Sequence, residues 1–275
     1  MIRTLVSVSP DLASVIAVNY ACHLSKSIPM NIQPVFVKEP EPERDVPGVG
    51  WVRRTWEDSL LSIEHEAVSR LIEAERGDCP ALIKPMILMG KWEDMILSCL
   101  LEGSFDLFVE GSVASFEKSE IIRQFNSPLY RNVPCPVIIA RNLIKLHKVL
   151  LVFNHESGIG KVVPAMSSLF RGTKMHFDVM YVNILDRGRP VELIEASDSL
   201  FREANAILES AGLTPEKRIA LQGGAENLAR QIEEYSLIAI SLPSDQTIDD
   251  RFFEMLGDVS SPILLCRRRP KRSSA

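Results

Sequence analysis

The chain has 275 residues, a formal net charge of −5, 46% hydrophobic residues and 24% charged residues. This composition excludes a disordered or fibrous chain and fits two domains with ordinary cores. The acidic balance argues against a broad nucleic-acid groove, and no apolar run approaches the ~18 residues that a membrane span needs.

Met1-Ile2-Arg3 lacks the basic region and apolar stretch of a signal peptide. The five cysteines (Cys22, Cys79, Cys99, Cys135 and Cys266) are odd in number and include no C-x-x-C pair. Read as small buried hydrophobes, they fit a reducing, cytoplasmic setting. The strongly basic run Arg267-Arg268-Arg269-Pro270-Lys271-Arg272 leads into a basic tail, 269–275, expected to be a solvated terminus.

Thr4–Val8 is a short apolar run expected as a buried strand, broken by Pro10 and Asp11. A helix is predicted over 13–25 and a strand over Asn31–Val37. A polar loop with Pro40, Pro42 and Pro47 follows, long enough to act as an insertion. Thr55 and Asp58 form a capping-box pattern ahead of a helix whose apolar stripe is Trp56, Leu60, Ile63, Ala67, Leu71 and Ala74. Leu82–Met89 is a predicted strand ending at Gly90. Glu93–Leu101 is a helix, Phe105–Val109 a strand ending at Gly111, Ser119–Tyr130 a helix, and Pro136–Ala140 a strand.

The same order then repeats. Val149–Phe153 is a strand, Lys161–Leu169 a helix and Phe177–Val182 a strand. Val191–Ala211 is a long helix with Gly212 placed to cap it. Arg218–Leu221 is a strand running to Gly223-Gly224, then come the helix Glu226–Glu234, the strand Leu237–Ile240, the helix Arg251–Leu256 and the strand Ile263–Leu265. The two closing segments, Cys135-Pro136-Val137-Ile138-Ile139-Ala140-Arg141 and Ser261-Pro262-Ile263-Leu264-Leu265-Cys266-Arg267, run in parallel as text. The predicted organisation is therefore two tandem domains, 1–142 and 146–268. Alternating strands and helices imply an α/β fold: each half a doubly wound, Rossmann-like domain with a five-stranded, mainly parallel sheet flanked by helices.

Ligands in such sheets bind beyond the carboxyl ends of the strands, where the strand order reverses. The residues at those ends are Ser9, Lys38, Gly90 and Gly111 in the first half, and Asn154, Asn183, Gly223 and Ser241 in the second.

Four strings carry a family resemblance in the first half: Leu5-Val6-Ser7-Val8-Ser9, Ala17-Val18-Asn19-Tyr20-Ala21, Phe105 to Ser112, and Val133-Pro134-Cys135-Pro136-Val137-Ile138-Ile139. In the second half, Ile207-Leu208-Glu209-Ser210-Ala211-Gly212 and Ser261 to Leu265 do the same. Their order and spacing resemble the universal stress protein family in its tandem form, over nearly the whole chain. The resemblance implies the adenine nucleotide alpha hydrolase-like variant of the fold. It also implies antiparallel pairing of the two closing strands, an intrachain pseudo-dimer, with room for a homodimer through another surface.

ATP-binding members of that family carry an Asp after the first strand and G-x2-G-x9-G-[ST] after the fourth. Here Ser9 stands at the Asp position, Gly111 matches the first glycine with Ser112 behind it, Ala114 replaces the second, and the last falls at Arg123-Gln124. In the second half Asn154 takes the Asp position, Ser241 and Ser244 replace glycines, and the last falls at the acidic pair Asp249-Asp250. Glycines let backbone N–H groups approach phosphate, so their loss argues against ATP in either half.

The expectation is a non-catalytic stress-response module with degenerate nucleotide sites, no cofactor, and an unidentified protein partner. The alternative is a switch binding ATP or another adenine nucleotide through Ser9, Val37, Gly90, Gly111 and Ser112, with Asn154 and Gly223 as weaker positions in the second half. Gly90 and Gly223 also fit plain β–α turns. His155 sits at a strand end, but no histidine pair has metal-ligand spacing and no P-loop or nucleophile elbow is present.

Overall fold

Short, continuously apolar segments build the centre of the molecule, because a strand covered by helices on both faces has no side facing water. The computed structural model describes residues 1–39, 66–113, 123–155, 157–173, 176–193, 197–242 and 250–267. The first half contributes β1 (Ile2–Ser7), β2 (Met30–Lys38), β3 (Met86–Met89), β4 (Leu107–Gly111) and β5 (Val137–Ala140). The second contributes β6 (Lys148–Phe153), β7 (His176–Leu185), β8 (Val191–Glu192), β9 (Arg218–Gly224), β10 (Leu237–Leu242) and β11 (Ile263–Arg267). All join one sheet in the order β3-β2-β1-β4-β5-β11-β10-β6-β7-β9-β8.

Within each half the main pairings are parallel, and the order reverses between β1 and β4 and between β6 and β10. The halves meet where β5 and β11 pair antiparallel, Ile138 opposite Leu264 and Ile139 opposite Ile263. This is the pairing that the resemblance implied.

The helices are α1 (Leu12–Ser25), α2 (described over 66–76), α3 (Trp92–Gly103), α4 (Pro128–Asn132), α5 (Val162–Leu169), α6 (Ser197–Ser210), α7 (Ala225–Ile232) and α8 (Asp250–Asp258). Alternate strand residues feed two cores, as the period of two demands. Val6, Val109 and Leu151 face one core with residues of α1, α2, α5 and α6. Leu5, Phe108 and Val152 face the other with residues of α3, α4, α7 and α8. Both cores run through both halves.

Two arginines at matching positions tie the halves together. Arg141, just past β5, donates from Nη1 to the carbonyls of Leu256, at 2.7 Å, and Val259. These accept at the C-terminal end of α8, where unpaired helix carbonyls favour a cation. Arg267, at the end of β11, reaches the carbonyl of Phe125 in the first half. The Phe125 and Phe253 rings pack across the same junction with centroids 5.4 Å apart.

The structure corrects several element boundaries. Val191–Glu192 does not start a helix: it pairs antiparallel with β9 as β8, behind Pro190, and α6 is described from Ser197. The predicted strand Leu82–Met89 shrinks to β3, leaving Leu82 as an isolated bridge to Ile32, because Pro85 has no N–H to donate. The predicted helix ending at Tyr130 breaks at Ser127, whose extended backbone (φ −64, ψ 155) precedes Pro128 and whose hydroxyl caps α4. In α2 the buried residues are Val68 and Ile72, not Ala67 and Ala74. The buried face of α2 lies one residue on from the stripe that the sequence spacing predicts. The proline-rich loop, the Thr55 cap and the tail 269–275 lie outside the described residues.

Candidate functional site

The carboxyl edge of the first half is built around two helix starts, and a carboxylate of the chain already occupies each. Asp11 Oδ1 accepts from the Ser14 backbone N–H at 2.7 Å and caps α1. The Ser14 hydroxyl oxygen in turn accepts from the backbone N–H of Ser9 at 2.7 Å. Ser9 therefore belongs to a closed turn leading into the helix.

At α3 the capping residue, Lys91, offers no side-chain acceptor. Glu39, just past β2, supplies one: its Oε1 accepts from the Trp92 backbone N–H at 2.7 Å. Glu93 and Asp94 add negative charge in the same first turn. The Trp92 indole folds back and donates from Nε1 to the Ser7 hydroxyl at 3.2 Å, over the end of β1.

The candidate glycines have local structural duties. At Gly111 an added Cβ would lie 1.7 Å from the carbonyl oxygen of Ala13, so β4 and the first turn of α1 touch backbone to backbone. Gly90 has φ +148, outside the range that L side chains adopt, and its N–H donates to Lys38 O at 3.0 Å in the turn from β3 to α3. Val37 is a buried core residue paired in register with Leu88.

Beside Gly111 the structure opens a cavity of about 540 Å³, lined by Trp92, Glu93, Glu110, Ser112, Arg123 and Tyr130 among others. The Tyr130 hydroxyl donates to Glu110 Oε2, and the Gln124 amide donates to the Tyr130 oxygen at 2.9 Å. Burial, opposed by these hydrogen bonds and aided by the charge of Glu93, pushes the Glu110 carboxyl up to about 7. Burial also raises Tyr130 well above the usual phenol range. Ser112 is only 4% exposed, its N–H donates to Ala140 O at 2.8 Å, and its hydroxyl has no hydrogen-bond partner among the described residues.

In the second half none of Asn154, Asn183, Gly223 and Ser241 lines a cavity among the described residues. Asn154 Oδ1 accepts from the Ser157 N–H at 2.6 Å and its hydroxyl at 2.8 Å, closing a turn on itself. Gly223 lies inside β9, where a Cβ would meet the backbone of Arg189 and Pro190 at 3.2 to 3.3 Å. Asn183 and Ser241 lie inside β7 and β10, not beyond them, since those strands run further than predicted. His155 is exposed in the turn after β6.

No family model and no curated protein matches the sequence. Solved structures do. A universal stress protein from Archaeoglobus fulgidus superposes with a TM-score of 0.67 at 14% identity, covering 98% of this chain and 97% of that one. The fold is that of the universal stress proteins. A functionally unknown protein from Pseudomonas aeruginosa (TM-score 0.55, 14% identity) covers 97% of this chain and 92% of its own. A putative universal stress protein from the same species (TM-score 0.54, 14% identity) covers 96% and 92%. Among the described residues no helix is long and apolar enough to cross a membrane, and no group of three His, Cys, Asp or Glu is placed to hold a metal ion.

On this universal-stress fold, sequence reasoning missed two features. Glu110 reads as an ordinary polar strand end; its role shows only when Tyr130 and Gln124 fold over it. Cys22 and Cys79, expected as free thiols, form a disulfide with Cα atoms 5.5 Å apart at a sequence separation of 57. Cysteine usage therefore no longer argues for a reducing compartment. Cys99, Cys135 and Cys266 form no disulfide, in keeping with the expectation.

Proposed function

We propose that the chain is a universal-stress-type binding and regulatory module that does no catalysis and whose nucleotide sites have lost their phosphate cradle. The carrying observation is that side-chain carboxylates already fill the helix starts at the carboxyl edge of the first half, Asp11 on α1 and Glu39 on α3. A helix start attracts phosphate because its N–H groups are unpaired and its dipole is positive. Each carboxylate removes an N–H and cancels part of that field. Glu93, Asp94 and Glu110 add further negative charge around the same edge, opposing a triphosphate.

The Gly111 contact points the same way: that glycine answers to the backbone of Ala13, not to a ligand. The output of such a module is contact with a partner protein. Thermal melting with and without millimolar ATP, ADP and AMP tests the reading, since a ligand specific to the folded state raises Tm by mass action. We expect no shift. A rise of several degrees with ATP would replace this reading with the nucleotide-switch reading.

A further inference from the structure

We propose that the cavity beside β4 is a binding site for a small primary amine, with the Glu110 carboxylate as counter-ion, the Ser112 hydroxyl as acceptor and the Trp92 indole as an apolar wall. The inference rests on the reading above, that this edge no longer serves phosphate. Four observations carry it. The volume of about 540 Å³ suits a small molecule. The charged groups in the lining are Glu93, Glu110 and Arg123, so the balance is negative once Glu110 is ionised. Tyr130 and Gln124 engage the Glu110 carboxylate, which has about four acceptor sites in all and keeps others for a ligand. The Ser112 hydroxyl, 4% exposed and without a partner among the described residues, is a buried polar group that a ligand N–H would satisfy.

An ammonium group matches this set. It brings three donors and one positive charge to a carboxylate and a hydroxyl, beside an aromatic ring able to face a cation. The groups acting on Glu110 are Tyr130 from α4, Gln124 ahead of it and Glu93 from α3, and Arg123 lines the same cavity. The carboxylate is the form that binds a cation. With Glu110 ionising at about 7, amine affinity rises about 10-fold between pH 6 and pH 8 as the competent fraction grows.

The test is calorimetric titration of the full chain with n-butylamine and putrescine at pH 6 and pH 8, with n-butanol and ATP as comparators. The expected result is saturable amine binding, about 10-fold tighter at pH 8, lost in Glu110→Gln and weakened several-fold in Ser112→Ala, with no response to butanol. Melting curves establish that both variants fold. Amine binding that Glu110→Gln leaves unchanged, or no binding up to 10 mM amine at pH 8, overturns the proposal. If ATP binds tightly instead, the parent reading falls with it; if neither ligand binds, only this site assignment falls.

Discussion

A single methyl group on Gly111 separates a packing role from a phosphate-binding role. The Cβ of Gly111→Ala would sit 1.7 Å from Ala13 O and 2.4 Å from Ala13 C, while real Cβ atoms essentially never approach closer than 3.0 Å. The obstacle is main chain, so no side-chain rotation relieves it. Either α1 lifts off β4 or β4 bends away from β1. The first movement loosens a helix whose Ala17, Val18 and Ala21 are all fully buried. Overpacking of this kind costs about 1–3 kcal/mol, and a backbone obstacle belongs at the upper end. For a chain of this size that corresponds to a fall in Tm of about 5–10 °C. Gly77→Ala is the control, because a Cβ there meets nothing within 4 Å. Thermal melting followed by circular dichroism reads both variants. An unchanged Tm for Gly111→Ala beside the control would refute the packing argument and return Gly111 to the candidate ligand residues.

Three further outcomes follow from the same structure. Burial lifts the folded-state Glu110 carboxyl to about 7, above its ordinary value of 4.5, so the folded chain holds a proton that the unfolded chain releases. The stability this group contributes is present below about pH 4.5 and lost as pH rises through about 7, by up to about 3 kcal/mol; Glu110→Gln flattens that part of the urea-melt pH profile, and an unchanged profile would contradict the assignment. Asp178 is fully buried, paired with Lys148 Nζ at 2.7 Å and accepting from the Tyr235 hydroxyl at 2.7 Å and the Lys217 N–H at 3.1 Å. Asp178→Ala strands these donors and lowers unfolding stability by about 3 kcal/mol in urea titration, whereas a loss under about 1 kcal/mol would show that water satisfies them. Reducing the Cys22–Cys79 bridge, which spans 57 residues, lowers stability by about 4 kcal/mol on the chain-entropy account, read as a lower Tm in dithiothreitol; equal Tm in both conditions would contradict it.

The fold was legible because burial on both faces leaves a strong mark. Val149 to Phe153 and Leu237 to Leu242 are almost wholly apolar and short, as strands covered on both faces are. The closing strands were legible as repeated text, and the arginine that ends each run proves to clasp the opposite half. The failures share one cause, which is dependence on distant residues. Val191 and Glu192 look helical in isolation and become β8 only because the edge of β9 is there to pair with. Cys22 and Cys79 meet because α1 packs beside the turn that follows α2. In the sequence Gly111 matches the first glycine of a nucleotide motif, whereas the steric need for a glycine there comes from Ala13, on another element. Glu110 carried no signal at all, since a carboxylate at a strand end is ordinary until Tyr130 folds over it.

The most direct test of the central claim is calorimetric titration of the full chain with magnesium ATP at pH 7.5. With carboxylates on the starts of α1 and α3 and Gly111 pressed against Ala13, no saturable binding is expected below about 1 mM, equivalent to no more than about 4 kcal/mol of affinity. Stoichiometric binding at micromolar concentration would contradict it.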